Sequence, residues 1–171
     1  PDDRRMLRCR PASTGSICTM KSAPPRLRSL TDLKQVKQAI DAQASARALA
    51  EARRLEARKR EALVMIALYA MPFEAHKPLW DTLDVSYFMR HDAADIAWHT
   101  KQLSRHVGTP QPIVRARRSP VGEGLQVLVY TQDQPDLFAR ICGYFDQGGF
   151  SILDARVHTT HQGYALDTFQ V

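Results

Sequence analysis

His91 and Asp92 stand side by side, with Asp95 and His99 close behind. A His-Asp pair with further His and Asp donors is the set that holds a divalent metal and polarises a water. The same residues have a plainer use. Asp92 precedes an apolar-periodic stretch and has an acid three residues later, which suits a helix N-cap followed by a carboxylate near the positive end of the dipole. A bare His-Asp pair is a weak signature, so capping is the expectation here. His158 and His161 flank a turn, but no acid or cysteine stands at a spacing that completes a metal set, and they read as strand and turn residues.

No Ser/His/Asp nucleophile arrangement is visible, and no catalytic residue is assigned. Gly143, Gly148 and Gly149 lie in or just after a helical pattern, not in a phosphate-binding loop after a strand. The strongest binding candidate is the loop Thr131 to Leu137, with Asp133, Gln134, Pro135 and Asp136 between. It leads into a helix N-terminus, whose free N–H groups and dipole favour a carboxylate. The alternative is a turn with Pro135 at the first helical position. Both readings stay open on the residues alone.

These residues need elements to position them. Residues 1 to about 30 carry Pro11, Gly15, Pro24 and Pro25 among scattered Arg and Ser, with no apolar period, and are expected to be disordered or non-native. From Thr31 the spacing of Leu33, Val36 and Ile40, then an Ala-rich and charge-rich run, predicts one long helix or two in line, ending by Pro72. Pro78 opens a short helix with Leu79, Trp80 and Leu83, and a further helix is expected from about Ala93 to Val107. Residues 31–112 thus form a helical connector.

Ile113 to Arg118 is a short strand or an extended linker. Leu125 to Thr131 is a β-branched strand. Leu137, Ile141 and Phe145 recur at helical spacing, with Cys142 beside them as a small core residue, and Gly148-Gly149 closes that helix. Phe150 to Thr160 reads as a second strand, His161-Gln162-Gly163 as a hairpin turn, and Tyr164 to Val171 as a third strand. Strand, helix, strand, hairpin, strand opens a split β-α-β unit, so residues 122–171 form an α+β domain of ferredoxin-like type.

The 171 residues are 44% hydrophobic and 25% charged, a globular composition. No apolar run approaches the roughly 18–20 residues that span a bilayer, and the start PDDRRMLRCRP is not a secretory signal. The absence of an initial Met leads us to expect a piece of a longer protein. The formal net charge of +6 raises a nucleic-acid reading, but no aromatic-basic interleaving or helix-turn-helix pattern accompanies it, and solvated surface is the expectation. Three cysteines without a C-x-x-C suit a reducing cytoplasm.

The segment from Asp133 to Val171 resembles the ACT domain family, on Asp133 and Pro135 in the loop, Leu137 and Ile141 in the helix, Gly149, Ile152, Ala155 and Thr159, then Gly163, Ala165 and Asp167. DLFARICGYFD, Phe150 to Arg156 and the upstream LWDTLDVSYFMRHDAADIAWHTKQL resemble the protein-PII uridylyltransferase/uridylyl-removing enzymes, over roughly residues 56 to 171. That resemblance implies a bifunctional parent that adds UMP to the signal protein PII through a nucleotidyltransferase domain. A metal-dependent HD domain removes it, with Mg or Mn as the parent's metal, and ACT domains sense glutamine. This chain would be the helical connector after the HD domain plus most of the first ACT domain, with no cofactor of its own. Amino-acid ligands of ACT domains lie between the loop and the start of the second strand of a neighbouring domain, which implicates Phe150, Ser151 and Ile152 beside Asp133 to Leu137. Two positions depart from the pattern: Asp136 stands where many members have Gly, and Ser151 where many have Asn.

The alternatives are an amino-acid-binding or dimerisation module without catalysis, and a basic nucleic-acid-binding protein, the latter dismissed by failure to bind DNA at low ionic strength. Without the family's last strand, Leu125–Thr131 is expected to show an open apolar edge, and without its second helix the sheet face is expected to be half covered. Marginal stability or edge-to-edge self-association follows from that expectation.

Overall fold

A computed structural model describes residues 30–171, so the expectation for residues 1 to about 30 lies outside the described residues. The chain divides into two units, Pro1–Ala42 and Gln43–Val171. Of the first, the described part is the beginning of α1 (Leu30–Ala67), a helix exposed along its opening turns. Everything below concerns the second unit.

α1 ends at Ala67, and turns carry the chain through Ala70 toward Pro72. Then come α2 (Lys77–Trp80), α3 (Val85–Arg90) and α4 (Ala93–Leu103). α3 is not legible as an apolar stripe, being six residues long. Its start is local chemistry: Asp84 caps it by accepting from the Tyr87 N–H at 3.0 Å. Asp92 caps α4 in the same way, accepting from the Asp95 N–H at 2.8 Å, as its position in the sequence implied.

The second half is a four-stranded antiparallel sheet in the order β1-β2-β4-β3, with β1 (Ile113–Arg118), β2 (Leu125–Gln132), β3 (Asp154–Arg156) and β4 (Tyr164–Gln170). α5 (Leu137–Gln147) connects β2 to β3. The architecture is α+β: a helical region, then an antiparallel sheet with a helix, of ferredoxin-like ACT type.

Two expectations are corrected. The edge of β2 is not open, because β1 pairs along it from Ile113↔Tyr130 to Arg118↔Leu125. Residues 113–118 fell outside both expected domains. Their alternation places arginines on both faces, and only pairing with β2 reveals them as a sheet edge. The second strand is three residues long instead of the stretch Phe150 to Thr160. Beyond it no regular ladder continues: the segment has an isolated bridge, Thr159↔Ala165, with the Leu166 N–H donating to the His158 carbonyl at 2.7 Å and the Thr160 N–H to the Tyr164 carbonyl at 2.8 Å.

β4 is central, and its residues Tyr164 to Phe169 are buried, so the sheet has two covered faces. On one, Leu128, Tyr130, Tyr164 and Leu166 join Leu79, Tyr87, Ile96 and Leu103 from the helical region in one core. On the other, Val127, Val129 and Phe169 pack on Phe145, with Ile141, Cys142 and Ile152 partly buried beside them. Both cores are built from the period-two alternation of β2 and β4. α5 leaves the second face incompletely covered: an apolar groove of about 350 Å³ runs between Val114, Val127 and Val129 of the sheet and Leu137, Ile141 and Tyr144 of the helix.

Candidate functional site

The loop before α5 is a tight turn. The Leu137 N–H donates to the Gln134 carbonyl at 3.1 Å, with Pro135 and Asp136 between them. Asp136 has φ 60° and ψ 12°, a left-handed conformation at the third turn position, where Gly or Asn is favoured. That backbone is the physical reason a glycine suits this place. Pro135 therefore lies in the turn and not at the first helical position. Asp136 occupies the N-cap, but its side chain makes no capping bond, so the first N–H groups of α5 have no carboxylate partner from it.

Asp133 is held from two sides. Its N–H donates to the Gly163 carbonyl at 2.9 Å, and Thr159 Oγ1 donates to its Oδ2 at 2.9 Å. Gly163 has φ 76°, as the hairpin turn required. Asp167 is buried on β4, on the face that α5 covers, and the His158 N–H donates to its Oδ1 at 3.3 Å. Loss of water pushes its pKa up to about 6, against the help of that N–H.

Phe150, Ser151 and Ile152 lie at the other end of α5, just past Gly148 and Gly149. The 11 residues of α5 separate them from the loop by about 16 Å at roughly 1.5 Å per residue. Within one chain the two halves of the expected pocket are not brought together. Asp133, Gln134, Pro135, Asp136, Phe150 and Ser151 are exposed, and Leu137 and Ile152 half-buried.

A second polar constellation lies where the helical region meets the sheet, and only its Asp92–Asp95 spacing was legible. Asp95, 2% exposed, points away from its own helix end into the sheet. It accepts from Arg117 of β1, from Gln126 Nε2 of β2 at 3.0 Å and from Arg156 Nη1 of β3 at 3.0 Å. One carboxylate of α4 thereby ties three strands. Arg117 also lies over the Trp98 ring at 4.3 Å.

Beside it, His91, His99 and His158 surround the Tyr87 ring, at centroid distances of 4.5, 6.1 and 5.4 Å. Tyr87 Oη and His99 Nδ1 are 2.7 Å apart, and His99 Nε2 lies 3.3 Å from Thr168 Oγ1. His91 Nδ1 donates to the Tyr87 carbonyl at 2.9 Å, which leaves its Nε2 a bare acceptor with no donor. His158 Nε2 is likewise buried without a partner. His161 stands apart in the turn after Thr160 and is exposed; its N–H donates to the Thr82 carbonyl at 2.9 Å. Among the described residues no group of three or more His, Cys, Asp or Glu side chains is placed to hold a metal ion.

Comparison with known proteins adds identity to this geometry. Residues 50–102, from within α1 to the last turn of α4, match the model of the uridylyltransferase GlnD fifth domain. The chain is 64% identical over 117 residues to a bifunctional uridylyltransferase/uridylyl-removing enzyme of Ralstonia nicotianae, covering 68% of this chain and 14% of that protein. Proteins of the same description from Burkholderia mallei and Burkholderia orbicola are 62% and 60% identical over 117 residues, again 68% of this chain and 14% of each relative. The chain thus spans about one-seventh of the length of the curated relatives it matches. No solved structure matches it.

Proposed function

We propose, from the premise that this chain belongs to the family of bifunctional uridylyltransferase/uridylyl-removing enzymes, that it is a regulatory portion of such an enzyme. The sheet with α5 senses glutamine, and the helical region relays its state to the transfer of UMP to, and its removal from, the protein PII. The observation that carries the reading is the identity of 60–64% over 117 residues to relatives of that description.

The chemistry of the loop supports glutamine as the ligand. The α5 N-terminus presents N–H groups that Asp136 leaves uncapped, which suits an α-carboxylate. Asp133, held by Gly163 and Thr159, offers a fixed carboxylate to an amino or amide group. Phe150 to Ile152 lie too far along α5 to close on the same molecule, so a neighbouring domain would supply their counterpart. Glutamine acts as an effector by binding one arrangement of the parent enzyme better than the other. Mg or Mn belongs to the parent's catalytic domains in this reading.

No helix of the described residues is long and apolar enough to cross a membrane. A cytoplasmic location belongs to this reading through the bacterial relatives and their described activity. Among the described residues, edge-to-edge self-association would use the outer edges of β1 and β3. β1 carries Arg115, Arg117 and Arg118, and β3 is three residues long, both features that discourage edge pairing.

The test is a thermal melt of the chain with and without millimolar glutamine. A rise in Tm that Asp133→Ala abolishes supports sensing by this loop. An unchanged Tm, together with no glutamine binding by isothermal titration, refutes it for this chain.

A further inference from the structure

The helical region meets the sheet through three buried imidazoles, and nothing in glutamine sensing uses them. His91 and His99 are 1% and 0% exposed and His158 7%. They come from α3's end, α4 and the segment between β3 and β4, and they share one neighbour, the Tyr87 ring. His91 and His99 are themselves 5.2 Å apart, centroid to centroid. Two of the three carry a buried Nε2 with no partner. A buried polar atom left without a hydrogen bond needs a reason.

We propose that the docking of α3 and α4 on the sheet is a proton-controlled latch, closed while His91, His99 and His158 are neutral and released when they take up protons.

The charged groups around the layer fit this role. His91 and His99 have no carboxylate in contact: His91 bonds to the Tyr87 carbonyl, and His99 to the Tyr87 and Thr168 hydroxyls. Asp95 is the nearest buried acid, and Arg117, Arg156 and Gln126 occupy its oxygens. Arg58 of α1 covers the His91 carbonyl at 2.9 Å and offers no negative charge. His158 has Asp84 at 4.0 Å as a partial partner, opposed by Arg90 and His161. Asp167 accepts from the His158 backbone and lies toward α5, where its own protonation below about 6 favours the closed sheet.

Burial holds all three imidazoles below the ordinary 6.5, most strongly at His99, where His91, Arg117 and Arg156 add to the effect. The closed junction therefore binds fewer protons than the open one. Its stability is complete above pH 6.5 and falls as the pH drops through that value. Between pH 7.5 and 5.5 each histidine that titrates only when exposed shifts the opening equilibrium about tenfold, and three together up to about a thousandfold. The α5 face of the sheet contains no histidine in its core and gains nothing from opening.

Hydrogen–deuterium exchange on the whole chain at pH 7.5 and 5.5, corrected for intrinsic exchange, tests this. The expected result is a ten- to thousandfold loss of protection in α3 and α4, with β2 and α5 still protected. Equal protection at the two pH values overturns the latch, and so does a loss shared by all elements. His99→Gln keeps a hydrogen-bonding side chain between Tyr87 and Thr168 but cannot titrate, and it should remove about tenfold of the pH effect. If that variant does not fold, His158→Gln, the residue nearest solvent, should do the same. NMR titration of the wild-type imidazoles is an independent check: rings that protonate near 6.5 without any opening sink the proposal.

Discussion

Replacing Asp95 with Asn tests whether one carboxylate holds the helices to the sheet. The substitution keeps the shape but removes the charge, and it places an NH2 donor against guanidinium donors. Hydrogen bonds to charged groups contribute about 1.5–3 kcal/mol each, and breaking a buried pair costs about 3–5 kcal/mol. The arginines are not fully buried, their side chains being 22% exposed at Arg117 and 36% at Arg156, so water recovers part of the loss. The expected cost of Asp95→Asn is about 3 kcal/mol, of which about 2 should run through Arg117 and less than about 1 through Arg156. For a chain of this size that is a fall in Tm of roughly 6–12 °C. Urea unfolding followed by tryptophan fluorescence is the assay, since Arg117 lies on Trp98. Double-mutant cycles with Arg117→Gln and Arg156→Gln apportion the coupling. A loss below about 1 kcal/mol, or stronger coupling to Arg156 than to Arg117, refutes the reasoning.

Three further substitutions follow from single residues. Asp136→Gly removes a side chain from a φ of 60° and should raise stability by about 0.5–1 kcal/mol, read from the urea midpoint. Asp167→Asn should stabilise the protein at pH 8 and lose that advantage toward pH 4. The folded carboxyl is raised from 3.8 to about 6, so its charge costs stability above 6 and the cost vanishes as it protonates. The gap caps the gain at roughly 3 kcal/mol, and an unchanged pH 8 stability refutes it. Gly124→Ala places a Cβ against the Val171 carbonyl at a φ of 99° and should cost about 1–3 kcal/mol, with β2 amides exchanging faster.

The sequence by itself determined what depends on near neighbours. Asp92 is an N-cap because its carboxylate reaches an N–H three residues on, and that spacing is written in the chain. The alternation of β2, the helical spacing of Leu137, Ile141 and Phe145 and the glycine of the hairpin turn are local in the same sense, as is the motif likeness that gave the family. The tertiary structure decided the rest. It placed β1 on the edge of β2, which the arginine-rich residues 113–118 do not announce. It shortened the second strand, because only Asp154 to Arg156 pair with β4 as a continuous ladder. It brought Arg117, Gln126 and Arg156 to Asp95 across separations of 22 to 61 residues, and gathered three histidines around Tyr87. Each of these contacts depends on which face of a strand meets which helix, and the register that fixes it is a property of the packed sheet.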